Sequence, residues 1–492
     1  MTWELAGPTG DFQPDAIRAE LHRMADWMAD YRIGIAERSV STPVQPGEIG
    51  DQLRAANWEL PVSLEEIIAD FDRVVMPGIL NWGHPAFFGY FGSTSNTPAL
   101  IAEMAAAALN VNAMTWKSSP SATEMETVVL EWIRECCGLP EKHFGVVYDT
   151  ASVAVMHALA AAREKACGGM RRNGLGALGG IAMLRIYASD QAHSSAEKAA
   201  IVLGVGESNV IRIPSDDDFR MDCAALRKTI LDDVALGYTP MAVIATVGST
   251  STASSDPVPE IARICREFDL WLHVDGAYGG GYGVLPEGRW VMQGMEDADS
   301  VVVNPHKWLF VPLDFSTLYL KNPASVREVF SLTPEYLRGA AGESPAAHDY
   351  MDYGIQLGRR FRALKAWMVF RAFGRSGIES RIRENCRAAK MFAKLVSDEE
   401  HFSLATPVNM AVVCFRFEPP GLAGEAANAM NRMVVERVNA SGKAFLTYTT
   451  LRGRIVMRAG FGNILTTDAT IHSVWELIRA HAGKLATGEV NC

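Results

Sequence analysis

The sequence predicts an α/β protein, with a mixed sheet covered by helices, a helical segment before it and a small α+β unit after it. Three observations predict this class. From about residue 145 to 320, short runs rich in Val, Ile and Leu recur without polar alternation, the pattern of strands buried on both faces. Segments with helical apolar spacing, such as DCAALRKTILDDVAL and VPEIARICREF, alternate with them. After about residue 365 the rhythm changes to one long helix, two strands and a last helix.

The first helix opens at Pro14 or Asp15 and carries Ile17, Leu21, Met24, Met28 and Tyr31 at helical spacing. A second helical stretch covers SLEEIIADFDRVVMPGIL and ends near Pro77-Gly78. These helices have an apolar face but too few residues for their own core, so the segment is expected to lie across another body, often a partner subunit. Strands follow in GVVYD, IAMLRIYASD, NVIRI, MAVIATVGST, LWLHVDGAY, SVVVNPHKW and STLYLK. Further on, GIESRIRENCRAAKMFAKLV places Ile378, Ile382, Cys386, Ala389 and Leu395 on one helical side. MAVVCFRF and RIVMRAGF read as strands, and TIHSVWELIRAHAGKL as the closing helix.

The chain has 492 residues, with 46 Lys+Arg against 57 Asp+Glu and a net charge of −11. An apolar share of 48% is too high for a disordered chain. The acidic balance argues against a nucleic-acid partner, whose phosphates demand clustered Lys and Arg. No run of about eighteen apolar residues appears, so no membrane span is expected. The start, MTWELAGPTGDFQPDAIRAE, lacks the basic and apolar regions of a signal peptide, and a cytoplasmic location is expected. Eight cysteines without C-x-x-C or H-E-x-x-H spacing read as small buried hydrophobes of a reduced compartment, not disulfides or a metal site.

Ligands of such sheets bind outside the carboxyl ends of the strands, so the chemistry is sought there. SVVVNPHKWLF ends a buried strand in Asn304, Pro305, His306 and Lys307. A lysine beside apolar residues has its ammonium disfavoured, which suits a Schiff-base amine; the alternative is a lysine snorkelling out of a loop. LWLHVDGAYGGG ends in Asp275, followed by Gly276 and Ala277. A buried aspartate calls for a cation, such as a pyridinium nitrogen, and small neighbours let a flat ring lie against the backbone. The alternative is an Asp capping the next helix. In IYASDQAHSSAEKAA a strand ends at Tyr187, a helix starts near Ser194, and His193 lies at the junction. In VVYDTASVAVMHALAAAR the turn Asp149-Thr150-Ala151-Ser152 opens a helix whose free N–H groups suit a phosphate; plain capping by Thr150 or Ser152 is equally open.

With HPAFFGYF, SPSATEMETVVLEWI, SDQAHSSAEKA, HVDGAY, NPHKW and LGRRFRALKAW in this order, the chain resembles the pyridoxal-phosphate-dependent group II decarboxylases. It is most like the aromatic-L-amino-acid decarboxylases, including plant tryptophan and tyrosine decarboxylases. The likeness runs from about residue 10 to 483. It implies a fold-type I PLP-dependent transferase fold in a homodimer with its active site at the subunit interface. Residues 1–96 would form a dimer-swapping helical arm, 97–364 the large PLP-binding domain and 365–492 the small C-terminal domain.

The resemblance implies that Lys307 forms a Schiff base with the aldehyde of pyridoxal 5′-phosphate and that Asp275 keeps the pyridine nitrogen protonated. Ala277 would pack under one ring face and His193 stack on the other. Thr250 would sit near the ring's hydroxyl, and Ala151, Ser152, Asn304 and His306 would surround the phosphate. Trp82, Tyr90 and Phe91 would line the substrate pocket, with Met114 reaching in from the second subunit. Tyr336, in the Gly/Ala/Ser-rich stretch 331–350, would return a proton to the α-carbon. Gly358 stands where a glycine accompanies indole substrates in plant relatives and a serine phenolic ones. The reaction implied is decarboxylation of an aromatic L-amino acid, of the tryptophan, 5-hydroxytryptophan, tyrosine, DOPA or phenylalanine class, to its amine and CO₂.

Two competitors come with the resemblance. An aromatic aldehyde synthase typically replaces the tyrosine or the histidine, and both Tyr336 and His193 are present. A decarboxylase of acidic or other non-aromatic amino acids, such as glutamate or cysteine sulfinate, would need a cation toward the side chain, and Trp82, Tyr90, Phe91 and Met114 supply none. The chain departs from the family at the phosphate turn, where Asp149-Thr150-Ala151-Ser152-Val153 replaces a Gly-Ser-Ala-Ser-Glu type of sequence. Asp149 is expected to point away from the phosphate or to bond backbone.

Overall fold

The computed structural model describes residues 11–56, 58–92, 94–174, 183–332 and 347–487. Seven strands form one mixed sheet: β1 (Phe144–Tyr148), β2 (Leu184–Ser189), β3 (Val210–Ile213), β4 (Thr239–Thr246), β5 (Trp271–Asp275), β6 (Ser300–Val303) and β7 (Ser316–Leu320). Their order is β1-β7-β6-β5-β4-β2-β3. β7 is antiparallel to both neighbours, β1 and β6, and every other pairing is parallel. Six of the seven strands thus share one direction. The carboxyl ends of β1, β2, β4, β5 and β6 open on the same edge, which sets the place of the site.

These strands hold because both faces are covered. Every residue of β5, β6 and β7 is buried. The helix Ala151–Ala166 packs on the central strands with Ala154, Ala158 and Ala160 to Ala162 buried, small side chains that let it lie close to the sheet. The helices Cys223–Ala235 and Val258–Glu267 cover β4. The strand expected to end at Tyr187 runs on to Ser189, because β2 keeps pairing with β3 through Ile213.

A second sheet is antiparallel: β8 (Phe402–Leu404), β9 (Val412–Phe417), β10 (Thr447–Leu451) and β11 (Arg454–Gly460), in the order β10-β11-β9-β8. The helices Gly424–Ala440 and Asp468–Ala486 pack together beside it. The long helix Ala363–Ser397 crosses residue 365 and breaks at Gly374, whose φ of 62° and ψ of 172° suit only a residue without Cβ. It contacts Thr97–Leu109 and Pro120–Cys137 at one end and the second sheet at the other.

The N-terminal helix Pro14–Ile33 begins at the expected proline and buries none of its residues in this chain. Residues 86 to 88 behave differently. Ala86, Phe87 and Phe88 are buried, and the Phe88 and Gly460 N–H groups donate to Phe445 O and Phe88 O, tying this stretch to the second sheet. Among the described residues no helix is long and apolar enough to cross a membrane. Six of the seven described cysteines are buried, and among the described residues no group of three His, Cys, Asp or Glu is placed to hold a metal ion.

Candidate active site

A cavity of about 190 Å³ lies at the shared carboxyl edge of the large sheet. β1 delivers the turn with Ala151 and Ser152, β2 delivers His193, β4 Thr250, β5 Asp275 and Ala277, and β6 Asn304, His306 and Lys307. All nine residues expected around the cofactor line this one space. Thr150 of the same turn lines it too, as do Thr246, Gly248 and Tyr278, which were not singled out by sequence. Gly248 has a φ of +79°, and a Cβ there would stand 2.7 Å from Gly279 N, so the loops after β4 and β5 touch only because this residue is glycine.

Local bonding fixes each group. Asp275 ends β5 with 7% exposure, and its Oδ1 accepts the Ala277 N–H at 3.1 Å. Asn304 Oδ1 accepts from Ser316 Oγ at 2.6 Å, while the Lys307 N–H donates to Asn304 O at 2.9 Å. His306 Nδ1 accepts the Phe315 N–H at 3.1 Å, and His193 Nδ1 accepts the Ser195 N–H at 3.1 Å, which leaves Nε2 of each neutral ring as the donor. The helix Ala151–Ala166 opens at Thr150 without a side-chain cap, so its first-turn N–H groups stay available to an anion.

The electrostatics follow from burial. Desolvation lowers the Lys307 pKa below that of an ordinary lysine; Asp275 opposes this and Arg458 adds to it. Burial also lowers His193, and it pushes His306 down to about 3 with help from Lys307. Both imidazoles are neutral at neutral pH. Arg458, on β11, is 4% exposed and sits with its guanidinium 4.8 Å from the Phe91 ring. Its Nη1 and Nε donate to Tyr90 O at 2.5 Å and Ser251 O at 3.2 Å, and Nη2 is buried without a partner among the described residues. Sequence reasoning missed this cation, because the alternation of RIVMRAGF gives no sign that the arginine faces inward.

Phe91, Tyr278 and Trp308 form an aromatic row beside the lysine, whereas none of the expected pocket residues Trp82, Tyr90 and Phe91 lines the cavity itself. Lys307 Nζ is 4.8 Å from the Phe91 ring centroid, Phe91 stacks on Tyr278 at 3.9 Å, and Tyr278 stacks on Trp308 at 4.7 Å. Trp82 and Tyr90 stack on each other at 5.3 Å near Phe87 and Phe445, and both are exposed in this single chain. Met114 and Gly358 do not line the cavity of their own chain; both border Asn112, whose Nδ2 lies 3.5 Å from Met114 Sδ and 3.9 Å from where a Gly358 Cβ would be. Tyr336 lies outside the described residues.

Of the two alternatives expected for Asp149, pointing away from the phosphate or bonding backbone, the structure shows the first: it does not line the cavity, and its partners are side chains. Its carboxylate meets Arg362 Nη2 at 2.6 Å and accepts from Gln356 Nε2 at 3.1 Å. A guanidinium offers a carboxylate more than an isolated N–H does, and the loop before the long helix brings one within reach.

Residues 46–418 match the family model described as the pyridoxal-dependent decarboxylase conserved domain. The chain belongs to this decarboxylase family. Tryptophan decarboxylase 2 of Oryza sativa is 36% identical over 94% of this chain and 94% of its own length. Phenylacetaldehyde synthase of Arabidopsis thaliana is 35% identical over 96% of each. The crystal structure of Oryza sativa TDC with PLP and tryptamine superposes with a TM-score of 0.92 at 34% identity, covering 97% of this chain and 99% of that one. The cofactor of this decarboxylase is pyridoxal phosphate, and the cavity fits it. Thr246 Oγ1 is buried on the wall with no partner among the described residues, the uncapped helix start can take a phosphate, and the amine and the carboxylate belong to the same space. The large mixed sheet is the fold-type I architecture expected from the sequence.

Proposed function

We propose that this carboxy-lyase removes CO₂ from an aromatic L-amino acid and releases the arylalkylamine. The observation that carries the reading is the aromatic wall next to the amine: Lys307 Nζ 4.8 Å from the Phe91 ring, itself stacked on Tyr278. An aromatic side chain gains from such a wall both burial and ring contacts. The names of the relatives, which include tryptophan and tyrosine decarboxylases, support the same substrate class. The buried cation Arg458 spends Nη1 and Nε on Tyr90 O and Ser251 O and keeps Nη2 unpartnered among the described residues, so the exclusion of an acidic substrate rests on the aromatic wall and the relatives rather than on the lack of a cation.

Pyridoxal phosphate, when bound, supplies an aldehyde for amine exchange and a conjugated ring that takes up the electron pair left by departing CO₂. Lys307 is the amine that holds it, and its lowered pKa keeps the nucleophilic form accessible. Asp275 provides the anion that keeps the ring nitrogen protonated. Ala277 and His193 would pack against the ring, and Thr250 would lie near its hydroxyl. Ala151, Ser152, Asn304 and His306 surround the phosphate. Because His306 is neutral, these groups hold the phosphate by hydrogen bonds and the helix end rather than by a cation.

Trp82, Tyr90 and Phe91 line the substrate pocket. Met114 reaches in from a second copy, and Gly358 leaves room for a bicyclic ring. The unburied helix Pro14–Ile33 supports the same homodimer, with 1–96 as the swapped arm, 97–364 as the cofactor domain and 365–492 as the small domain. The enzyme works in the cytoplasm. Tyr336 is the proton donor to the α-carbon; this role rests on the resemblance.

The test is a panel of amino acids incubated with the holoenzyme, with products identified by mass. Arylalkylamines from aromatic substrates are expected. Turnover confined to glutamate or cysteine sulfinate would refute the substrate class, and aldehyde with peroxide would assign the oxidative reaction instead.

A further inference from the structure

Arg362 is not among the residues that line the cavity, yet its guanidinium ties two segments that do. It forms aligned hydrogen bonds with Asp314, Nε to Oδ1 and Nη2 to Oδ2, each at 3.1 Å, in the loop that follows Lys307. The same Nη2 lies 2.6 Å from Asp149, two residues before the start of the helix Ala151–Ala166. The pairing continues outward. Lys365 stands 3.9 Å from Asp314 and 2.8 Å from Glu103, and Arg360 closes on Glu103. Three acids and three bases alternate in one chain of contacts, and all three bases come from the short stretch Arg360–Lys365.

Asp149 is a hazard where it stands. A carboxylate beside a helix start is drawn to the free N–H groups and to the positive end of the dipole. Those N–H groups are the ones assigned above to the cofactor phosphate, and the helix uses no side-chain cap to cover them. A free Asp149 could occupy them itself and would repel a dianion. Arg362 is 13% exposed, and it and Gln356 both engage the Asp149 carboxylate, which is not among the groups that line the cavity.

We propose that Arg362 is a positioning residue that holds Asp149 off the helix start and so keeps the phosphate site open. The proposal rests on the reading that Ala151 and Ser152 receive the phosphate. It concerns this chain's own acid at 149. It makes the affinity for the phosphate group, rather than for the pyridine ring, depend on a guanidinium outside the cavity.

The test measures binding of pyridoxal phosphate and of pyridoxal to the apoenzyme by tryptophan fluorescence quenching. The two ligands share the ring and the aldehyde and differ in the phosphate. R362Q is expected to weaken pyridoxal phosphate by about tenfold or more, the size of one hydrogen bond to a charged group, and pyridoxal by less than about twofold. Adding D149A to R362Q is expected to bring the ratio of the two affinities back to within about threefold of the D149A variant. Equal weakening of both ligands, or no recovery in the double variant, would overturn the proposal. R362K, which keeps one positive charge, covers the case in which R362Q does not fold. Its affinity ratio should stay within about threefold of the native one, and a larger loss that D149A leaves unrelieved counts against the proposal. S152A tests the underlying assignment. An unchanged ratio in S152A would remove the phosphate from this turn, whereas a lowered ratio in S152A with none in R362Q would overturn the role of Arg362 alone.

Discussion

Asp275→Asn isolates charge from shape. The amide keeps an oxygen that can accept the Ala277 N–H, now at 3.1 Å, so the turn after β5 should persist. What disappears is the anion that faces the cavity. Lys307 and Arg458 then share the site with no acid to oppose them among the groups that shift the lysine. Burial and Arg458 already lower the Lys307 pKa, and Asp275 raises it; without Asp275 it falls further. At a fixed neutral pH more of the amine is neutral, so an amine-selective reagent should modify Lys307 of the apoenzyme faster, with its pH midpoint moved down. Turnover moves the other way. Removing one partner of a buried charge pair costs about 3–5 kcal/mol. At 1.36 kcal/mol per decade that is about two to four orders of magnitude in rate. The assays are kcat/KM for amine formation and peptide-mapped modification of Lys307 against pH, with thermal unfolding as a check on the fold. A near-native rate, or a modification midpoint that moves up, would refute the placement of this charge.

The remaining predictions use different readouts. Lys307→Ala should abolish turnover and the borohydride-sensitive absorbance of the holoenzyme, and a variant that kept both would remove Lys307 from the chemistry. Gly358→Ser should lower kcat/KM more for indole than for phenolic substrates; a Cβ there would meet only Asn112 Nδ2 at 3.9 Å, so a loss equal for both classes would point away from pocket size. Tyr336→Phe should lose amine formation by about a hundred- to ten-thousand-fold, the usual span of a general acid, and divert product to aldehyde with oxygen uptake and peroxide. Amine at the native rate without oxygen uptake would exclude Tyr336 as donor. Acid stability is set by His143, His157, His273 and His306, whose folded pKa values of about 4, 4, 4 and 3 lie below the unfolded value. Below pH 6.5 the unfolded chain binds protons that the folded chain refuses, so stability falls as pH drops from about 6.5 toward 4, by roughly 2 kcal/mol per histidine at pH 5. Asp256, raised to about 7 by burial, works in the opposite direction and offsets about one of them. Urea unfolding at pH 7 and pH 5 reads the difference, and equal stabilities would refute it.

What the sequence makes legible is what a local pattern can carry. Strands β1 to β7 are readable because burial on both faces leaves an apolar run, and strand ends are readable because a charged residue after such a run has no cheap place to go. That reasoning finds Asp275 and Lys307 without knowing that β5 and β6 are neighbours. It says little about the second sheet. β10 alternates half-buried and exposed positions in a polar run, β8 has three residues, and the helix Gly424–Ala440 buries Asn428 and Asn431, which blurs its apolar period. Charge partners are hidden more deeply. Arg359 bonds Glu126 across 233 residues, and Arg362 finds Asp149 and Asp314 only because the long helix begins beside the carboxyl edge of the sheet. A buried arginine in a strand, as at Arg458, and a hydroxyl left unpaired, as at Thr246, look like any other polar residue in a row of letters. The arginine partner of Asp149 is hidden in the same way. Local chemistry proposes the nearest N–H, whereas the fold supplies a stronger partner from two hundred residues away, and at a site built for an anion that choice decides whether the N–H groups remain free.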